Sequence, residues 1–242
     1  MADAPGPLEL TGRTRAHVVD IPSPRCSLEG ATADAFLGLR AAAAREGIDL
    51  VAASSFRDFD RQLLIWNGKF RGERKLLDAR GREIVAASLE PARRVAAILV
   101  WSALPGASRH HWGTDLDLYD RAALPEGVAP ALVQAEYRRG GPFARLADWL
   151  DRHARRHGFY RPFDTDRGGV RPEPWHYSFA PRARGLERRV TAGLLLEALA
   201  PAGLEGWDCV AARLPALVTR YVRTIDPPPR MRSRLALAAR RA

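Results

Sequence analysis

The apolar positions of this chain repeat with two periods. Phe143, Leu146, Ala147, Leu150 and Ala154 lie at offsets 0, 3, 4, 7 and 11, which predicts an amphipathic helix that Gly158 stops. Val95, Ile98, Leu99 and Ser102, at offsets 0, 3, 4 and 7, predict a second helix ending near Pro105-Gly106. Residues 32–46 predict a third, with Thr32 or Asp34 near its N-cap, and Phe56–Trp66 resumes helical spacing. Elsewhere the pattern is that of strands: Thr114–Tyr119 alternates, Trp175–Phe179 follows a glycine-marked loop, and Asp49–Ser54 and His17–Ile21 are short. Residues 67–88 are polar, with a turn signal at Asp78-Ala-Arg-Gly81.

From residue 186 the pattern is mostly helical, including Pro215–Arg223 with Pro215 near a helix start. Pro227-Pro228-Pro229 is a stiff break, and the last twelve residues, MRSRLALAARRA, form a short basic segment. No internal repeat is evident. The expected fold class is α+β: a small antiparallel sheet flanked by helices, with a helical C-terminal extension. The expected division is an irregular lead-in over 1–30, a core domain over 31–185 and a basic extension over 186–242.

Composition narrows the class. The chain has 242 residues, 46% hydrophobic and 27% charged, as a globular protein with its own core requires. Lys+Arg exceeds Asp+Glu by 38 − 28 = +10. Only Lys69 and Lys75 are lysines; such an arginine bias reads as coding background rather than a binding surface. Residues 182–242 hold 12 Arg against 5 acids, so +7 of the surplus lies in the last 61 positions. A basic tail can meet phosphates or anionic lipid, but RGG repeats, interleaved aromatics and zinc-finger spacings are absent, so no specific nucleic-acid partner is expected. Cys26 and Cys209 stand outside any CxxC pair and are expected to be unpaired thiols. The N-terminal sequence lacks the basic and apolar regions of a secretory signal, and no apolar run spans a bilayer. The expectation is a cytoplasmic protein without a transmembrane segment, or a periplasmic one if the true start lies elsewhere.

The candidate chemistry sits in two segments. In Ser108-Arg-His110-His-Trp-Gly113-Thr-Asp-Leu-Asp117, a histidine and an aspartate flank a glycine turn and can face one point. Glu173-Pro-Trp-His176 adds a second histidine at a strand start. His, Asp and His match a catalytic zinc site that keeps its fourth position for water, and Glu173 is a carboxylate suited to general-base work on that water. Asp115 shares a strand face with Asp117, so the spacing leaves the two as rivals. His111 reads as a structural neighbour. His153 and His157, at i,i+4, sit in a basic helix end, where such residues complement the helix dipole.

These residues carry a family resemblance. Ser108, His110, Gly113 and Asp117 satisfy Ser-x-His-x-x-Gly-x-x-x-Asp, which resembles the first zinc motif of VanY-like D-alanyl-D-alanine carboxypeptidases. Glu173 to His176 resembles their Glu-Pro-Trp-His motif. Ser54-Ser-Phe-Arg57-Asp-Phe-Asp-Arg-Gln62 is similar to their Ser-Gly-Tyr-Arg-Ser segment with its later Gln. The three elements stand in the family's order over residues 54–179.

The resemblance implies Zn2+ held by His110, Asp117 and His176, with Glu173 as the base. It implies Arg57 at the oxyanion or at the substrate's terminal carboxylate, and Gln62 and Ser108 lining the pocket. The implied substrate is a peptidoglycan-derived peptide that loses a terminal D-amino acid. L,D-carboxypeptidase or endopeptidase cleavage of recycled muropeptides is the nearer alternative, and a non-catalytic zinc or cell-wall-binding domain the more distant one. Ser55, Asp58 and Asp115 depart from the family pattern, Asp115 by standing where the family usually has a small residue.

Overall fold

A computed structural model describes residues 4–229. The basic segment predicted over 231–242 lies outside the described residues. Around the site, a helical turn α1 (Pro7–Leu10) precedes a hairpin of β1 (Val18–Pro22) and β2 (Arg25–Glu29). Then follow α2 (Gly30–Ala44), β3 (Leu50–Ser54), α3 (Phe59–Arg71), the small hairpin β4 (Leu76–Leu77) and β5 (Glu83–Ile84), and α4 (Pro91–Leu99). The second half runs β6 (Asp115–Asp120), α5 (Gln134–Tyr137), α6 (Ala144–His153), β7 (Phe159–Tyr160) and β8 (His176–Phe179). It closes with five short helices: α7 (Ala180–Ala183), α8 (Leu186–Arg189), α9 (Ala192–Leu199), α10 (Trp207–Ala211) and α11 (Leu214–Val218), the last running into a π turn over Thr219–Arg223. The fold class is thus α+β with small antiparallel sheets.

Two helix starts differ from the sequence expectation, each because a carboxylate caps earlier or later than the apolar pattern shows. Glu29, the last residue of β2, accepts the Thr32 amide at 3.0 Å, so α2 begins at Gly30. Asp58 accepts the Arg61 amide at 2.7 Å, so α3 begins at Phe59 and residues 55–58 stay outside the helix. The polar segment over 67–88 contains the end of α3, which Gly72 terminates at φ +80°, and the β4–β5 hairpin, whose turn holds the Asp78–Gly81 signal.

The central sheet has the order β3-β6-β8-β7, antiparallel throughout. Its register places Asp117 opposite His176, Asp115 opposite Ser178 and, after a bulge in β3, Ser54 opposite Asp117. Because strand side chains alternate, one face carries Asp115, Asp117, His176 and Ser178. The other carries Leu116, Leu118, Tyr177 and Phe179, which join α2 and α6 in an apolar core around Phe36, Leu146 and Trp149. A second core gathers Phe59 and Trp66 of α3, Val95 and Ile98 of α4, and Leu195, Val210, Leu214 and Val218 of the C-terminal helices. The polar sheet face looks toward this second core, with a cleft between them. The helices after residue 186 therefore share a core with α3 and α4. Among the described residues no helix is long and apolar enough to cross a membrane.

Candidate active site

A cleft of about 320 Å³ lies against the polar sheet face, within the range of small-ligand sites. Arg57, Ser108, His110, Asp117, Glu173 and His176 all line it. His110 arrives on a 3-10 turn, Arg109–Trp112, which ends at Gly113 in the left-handed region at φ +67°. A Cβ on Gly113 would stand 2.8 Å from the Glu29 amide nitrogen and 2.7 Å from Val18 Cγ1, so only glycine fits between this turn and the β1–β2 hairpin. Asp117 sits in the middle of β6, and strand pairing delivers His176 beside it.

One ligand atom from each of His110, Asp117 and His176 lies within 4.8 Å of the others, and all three residues are buried. His110 Nε2 is 3.3 Å from one Asp117 oxygen, and His176 Nδ1 is 3.0 Å from the other. The remaining ring nitrogens have partners that fix the tautomers. His110 Nδ1 donates to the Ser55 carbonyl at 2.9 Å, leaving Nε2 toward the cleft. His176 Nε2 donates to Asp115 Oδ1 at 3.1 Å, leaving Nδ1 toward Asp117. Two imidazole nitrogens, each ring braced from behind, and a carboxylate are a donor set that fits a divalent cation such as zinc.

The charges agree with that fit. Burial pushes the His110 imidazole toward its neutral form despite the nearby Asp117. His176 behaves oppositely: burial opposes its charge, but Asp115 and Asp117 on either side raise it to about 10. A divalent cation held by these residues would take the place of that second proton with a larger positive charge. Burial also opposes ionisation of Asp117, yet the two histidines hold it well below the ordinary carboxylate range.

Glu173 stands 3.7 Å from His176 Nδ1, held by its own amide on the Phe163 carbonyl at 2.9 Å. Burial, with Asp117 adding to it, pushes its carboxyl up to about 7 against the pull of His176, Lys69 and Arg57. Arg57 is anchored at both nitrogens, one donating to Ser54 Oγ at 2.7 Å and the other to Gln62 Oε1 at 2.8 Å.

Gln62 itself does not line the cleft, contrary to the sequence expectation. It is fully buried behind Arg57, where its amide also donates to the Ala103 carbonyl at 2.7 Å. Its position on the inner face of α3 points it at the guanidinium, so it can orient Arg57 without reaching a ligand.

The structure separates the rivals that spacing left open. Asp115 lies behind His176 and is engaged by Arg109 Nε at 2.8 Å and the Thr114 hydroxyl at 2.5 Å. Arg109 also donates to Ser178 Oγ at 2.7 Å. Burial opposes the Asp115 charge, but Arg109 and His176 hold its carboxyl at about 2. His111 is structural: Nδ1 donates to the Arg57 carbonyl at 2.5 Å, and Nε2 accepts the Gly106 amide at 3.0 Å. His153 stacks on Trp149, away from the site. Cys26 and Cys209 are both free.

Several cleft residues were not visible to motif reading. Lys69 lies one further helical stretch along α3 from Gln62, and burial pushes its ammonium down to about 8. Its seven-residue spacing from Gln62 is the only sequence signal of that placement. Tyr221 and Val222, from the turn after α11, also line the cleft.

Comparison with known proteins gives this geometry its family. The sequence family described as VanY, D-alanyl-D-alanine carboxypeptidase, matches residues 25–182. That span contains every residue of the candidate metal and base set. The chain belongs to this family. A Haemophilus influenzae protein of uncharacterised function is 46% identical over 101 residues, covering 40% of this chain and 69% of its own. A D-alanyl-D-alanine carboxypeptidase of Enterococcus faecalis is 28% identical over 141 residues, covering 57% of this chain and 42% of its own. Among solved structures, a mutant vancomycin-resistance D,D-pentapeptidase VanY in complex with Zn(II) is 23% identical, with a TM-score of 0.48 over 80% of this chain and 88% of the other. As a member of this family, the chain is a peptidase, and its His110, Asp117 and His176 form a group that could hold a metal ion.

Proposed function

We propose that this chain is a zinc-dependent carboxypeptidase that removes a terminal D-amino acid of the D-Ala-D-Ala type from a peptidoglycan stem peptide. The observation that carries the reading is the register of β6 on β8, which sets Asp117 against His176, with His110 and Glu173 at the same point of one cleft. Zinc held by His110, Asp117 and His176 would supply Lewis acidity toward a carbonyl and would lower the pKa of water to about 7.

The other steps belong to the chain. Glu173, an acceptor once deprotonated, takes the proton of the attacking water and passes it to the leaving amine. Its raised pKa suits both directions of transfer near neutral pH. Arg57, held by Ser54 and Gln62, presents a guanidinium to the oxyanion or to the substrate's carboxylate. Ser108 borders the same space. The buried histidine tautomers keep their cleft-side nitrogens aimed without reorganisation.

The test is incubation of the zinc-loaded protein with purified tri-, tetra- and pentapeptide muropeptides, followed by mass analysis. Loss of one D-alanine from the pentapeptide is the expected result. Loss only from the tetrapeptide replaces the D,D assignment with the L,D one, and release from none of them overturns the peptidase reading. Full activity in Glu173→Gln overturns the assignment of the base.

A further inference from the structure

The chain after residue 182 lies outside the span that the family matches, yet it reaches the cleft. Tyr221 and Val222 line the same space as Arg57, Glu173 and His176. The segment that brings them there is bound to the long loop between β7 and β8. Asp226 accepts the backbone amides of Asp164 at 3.0 Å and Thr165 at 2.8 Å, the Thr165 hydroxyl at 2.8 Å and Arg167 Nε at 2.7 Å. Its own amide donates to the Pro162 carbonyl at 2.8 Å, and Arg220 Nε donates to the Gly168 carbonyl at 2.6 Å. A Cβ on Gly169 would lie 2.3 Å from the Arg220 carbonyl oxygen, so the two segments meet at backbone contact.

The clamped loop carries parts of the site. Phe163 packs on His176 with ring centroids 5.2 Å apart, and its carbonyl accepts the Glu173 amide. Val170 lines the cleft beside it. One carboxylate, Asp226, thus holds the first turn of a loop whose Phe163 carries both a ligand's packing partner and the backbone anchor of Glu173.

Resting on the carboxypeptidase reading, we propose that the segment 214–226 is a working part of the active site. Tyr221 and Val222, with Phe163 and Val170, form a fixed apolar wall that restricts the substrate residue lying against it to a small side chain such as that of D-alanine. Asp226 is a positioning residue that sets Glu173 through the 162–171 loop. An apolar wall rejects a larger residue by steric exclusion, and discrimination of this kind is on the order of tenfold to a few hundredfold.

Two variants test this, the first through selectivity and the second with a readout that does not need activity. Tyr221→Ala is compared with wild type on peptides ending in D-Ala and in a bulkier D-residue. The expected change is at least about tenfold in the ratio of the two kcat/KM values, with zinc affinity unchanged. Asp226→Ala is expected to lower kcat more than it raises KM, and to speed hydrogen exchange at the amides of Asp164, Thr165 and Glu173. Unaltered selectivity in folded Tyr221→Ala overturns the wall. Unaltered exchange at Glu173 in Asp226→Ala overturns the positioning role even if wild type cleaves no peptide tested, a result that by itself would refute only the carboxypeptidase reading.

Discussion

Asp115 offers a sharp test of how the proposed metal ligands are held. It is 0% exposed, its partner Arg109 is 5% exposed, and their contact is 2.8 Å. Replacing Asp115 by Ala removes the partner of a buried guanidinium, an error that costs about 3–5 kcal/mol. For a chain of this size each kcal/mol lowers Tm by about 2–4 °C, so Asp115→Ala should lose about 6–20 °C. Replacing both members, as Arg109→Met with Asp115→Leu, removes the buried charges together and should leave Tm near that of wild type, since apolar substitutes for such pairs are often neutral. Both proteins lose the acceptor for His176 Nε2–H. Zinc affinity, measured by competition with a chelator, should therefore fall by about 10–100-fold in both. Asp115→Asn keeps an oxygen that accepts from His176 and Arg109, and should bind zinc within a few-fold of wild type. A folded double variant with wild-type zinc affinity would refute the bracing role.

Further outcomes follow from the same geometry. Glu173→Gln should lower kcat by about 10²–10⁴-fold while retaining zinc, measured by steady-state kinetics and metal analysis. The base works deprotonated, so kcat/KM should fall as pH drops through its pKa. That value stands at about 7 in the metal-free site, and a bound cation lowers it, placing the acid limb between about 4.5 and 7; a limb centred below 4 would contradict the assignment. Burial keeps His111 neutral with its pKa lowered to about 3, whereas the unfolded chain protonates near 6.5. The unfolded state therefore binds the extra proton, and stability should fall by about 1.4 kcal/mol per unit as pH drops from about 6.5 toward 3, a slope that urea denaturation should find reduced in His111→Gln. Gly113→Ala forces a side chain into a left-handed turn against the Glu29 backbone, and should lower both Tm and zinc affinity by displacing His110.

The local order of this molecule is written in its sequence. Helical spacing located α4 and α6, and alternation located β6; α6 itself ends at His153, and Gly158 closes the 3-10 turn Ala154–His157 that continues it. The metal and base candidates were legible too, because their chemistry needs particular side chains at short separations: His110 and Asp117 across one glycine turn, Glu173 and His176 across one proline. Helix starts were less legible, since Glu29 and Asp58 act through side-chain hydrogen bonds that the apolar pattern does not register.

What packing decided lies between elements distant in the chain. Alternation puts Asp115 and Asp117 on one face, and only the pairing of β6 with β8, together with Arg109, assigns one to the brace and the other to the cleft. Gln62 reads as a cleft residue from its motif, but the burial of α3 turns it behind Arg57. Lys69, Tyr221 and Val222 carry no motif; Lys69 reaches the site along α3, and Tyr221 and Val222 reach it because a shared apolar core draws the C-terminal helices onto α3 and α4. A sequence specifies which side chains are available and how each local segment repeats, while the burial of apolar surface selects which segments meet. That selection, a property of the whole chain's packing, gave the cleft its far wall.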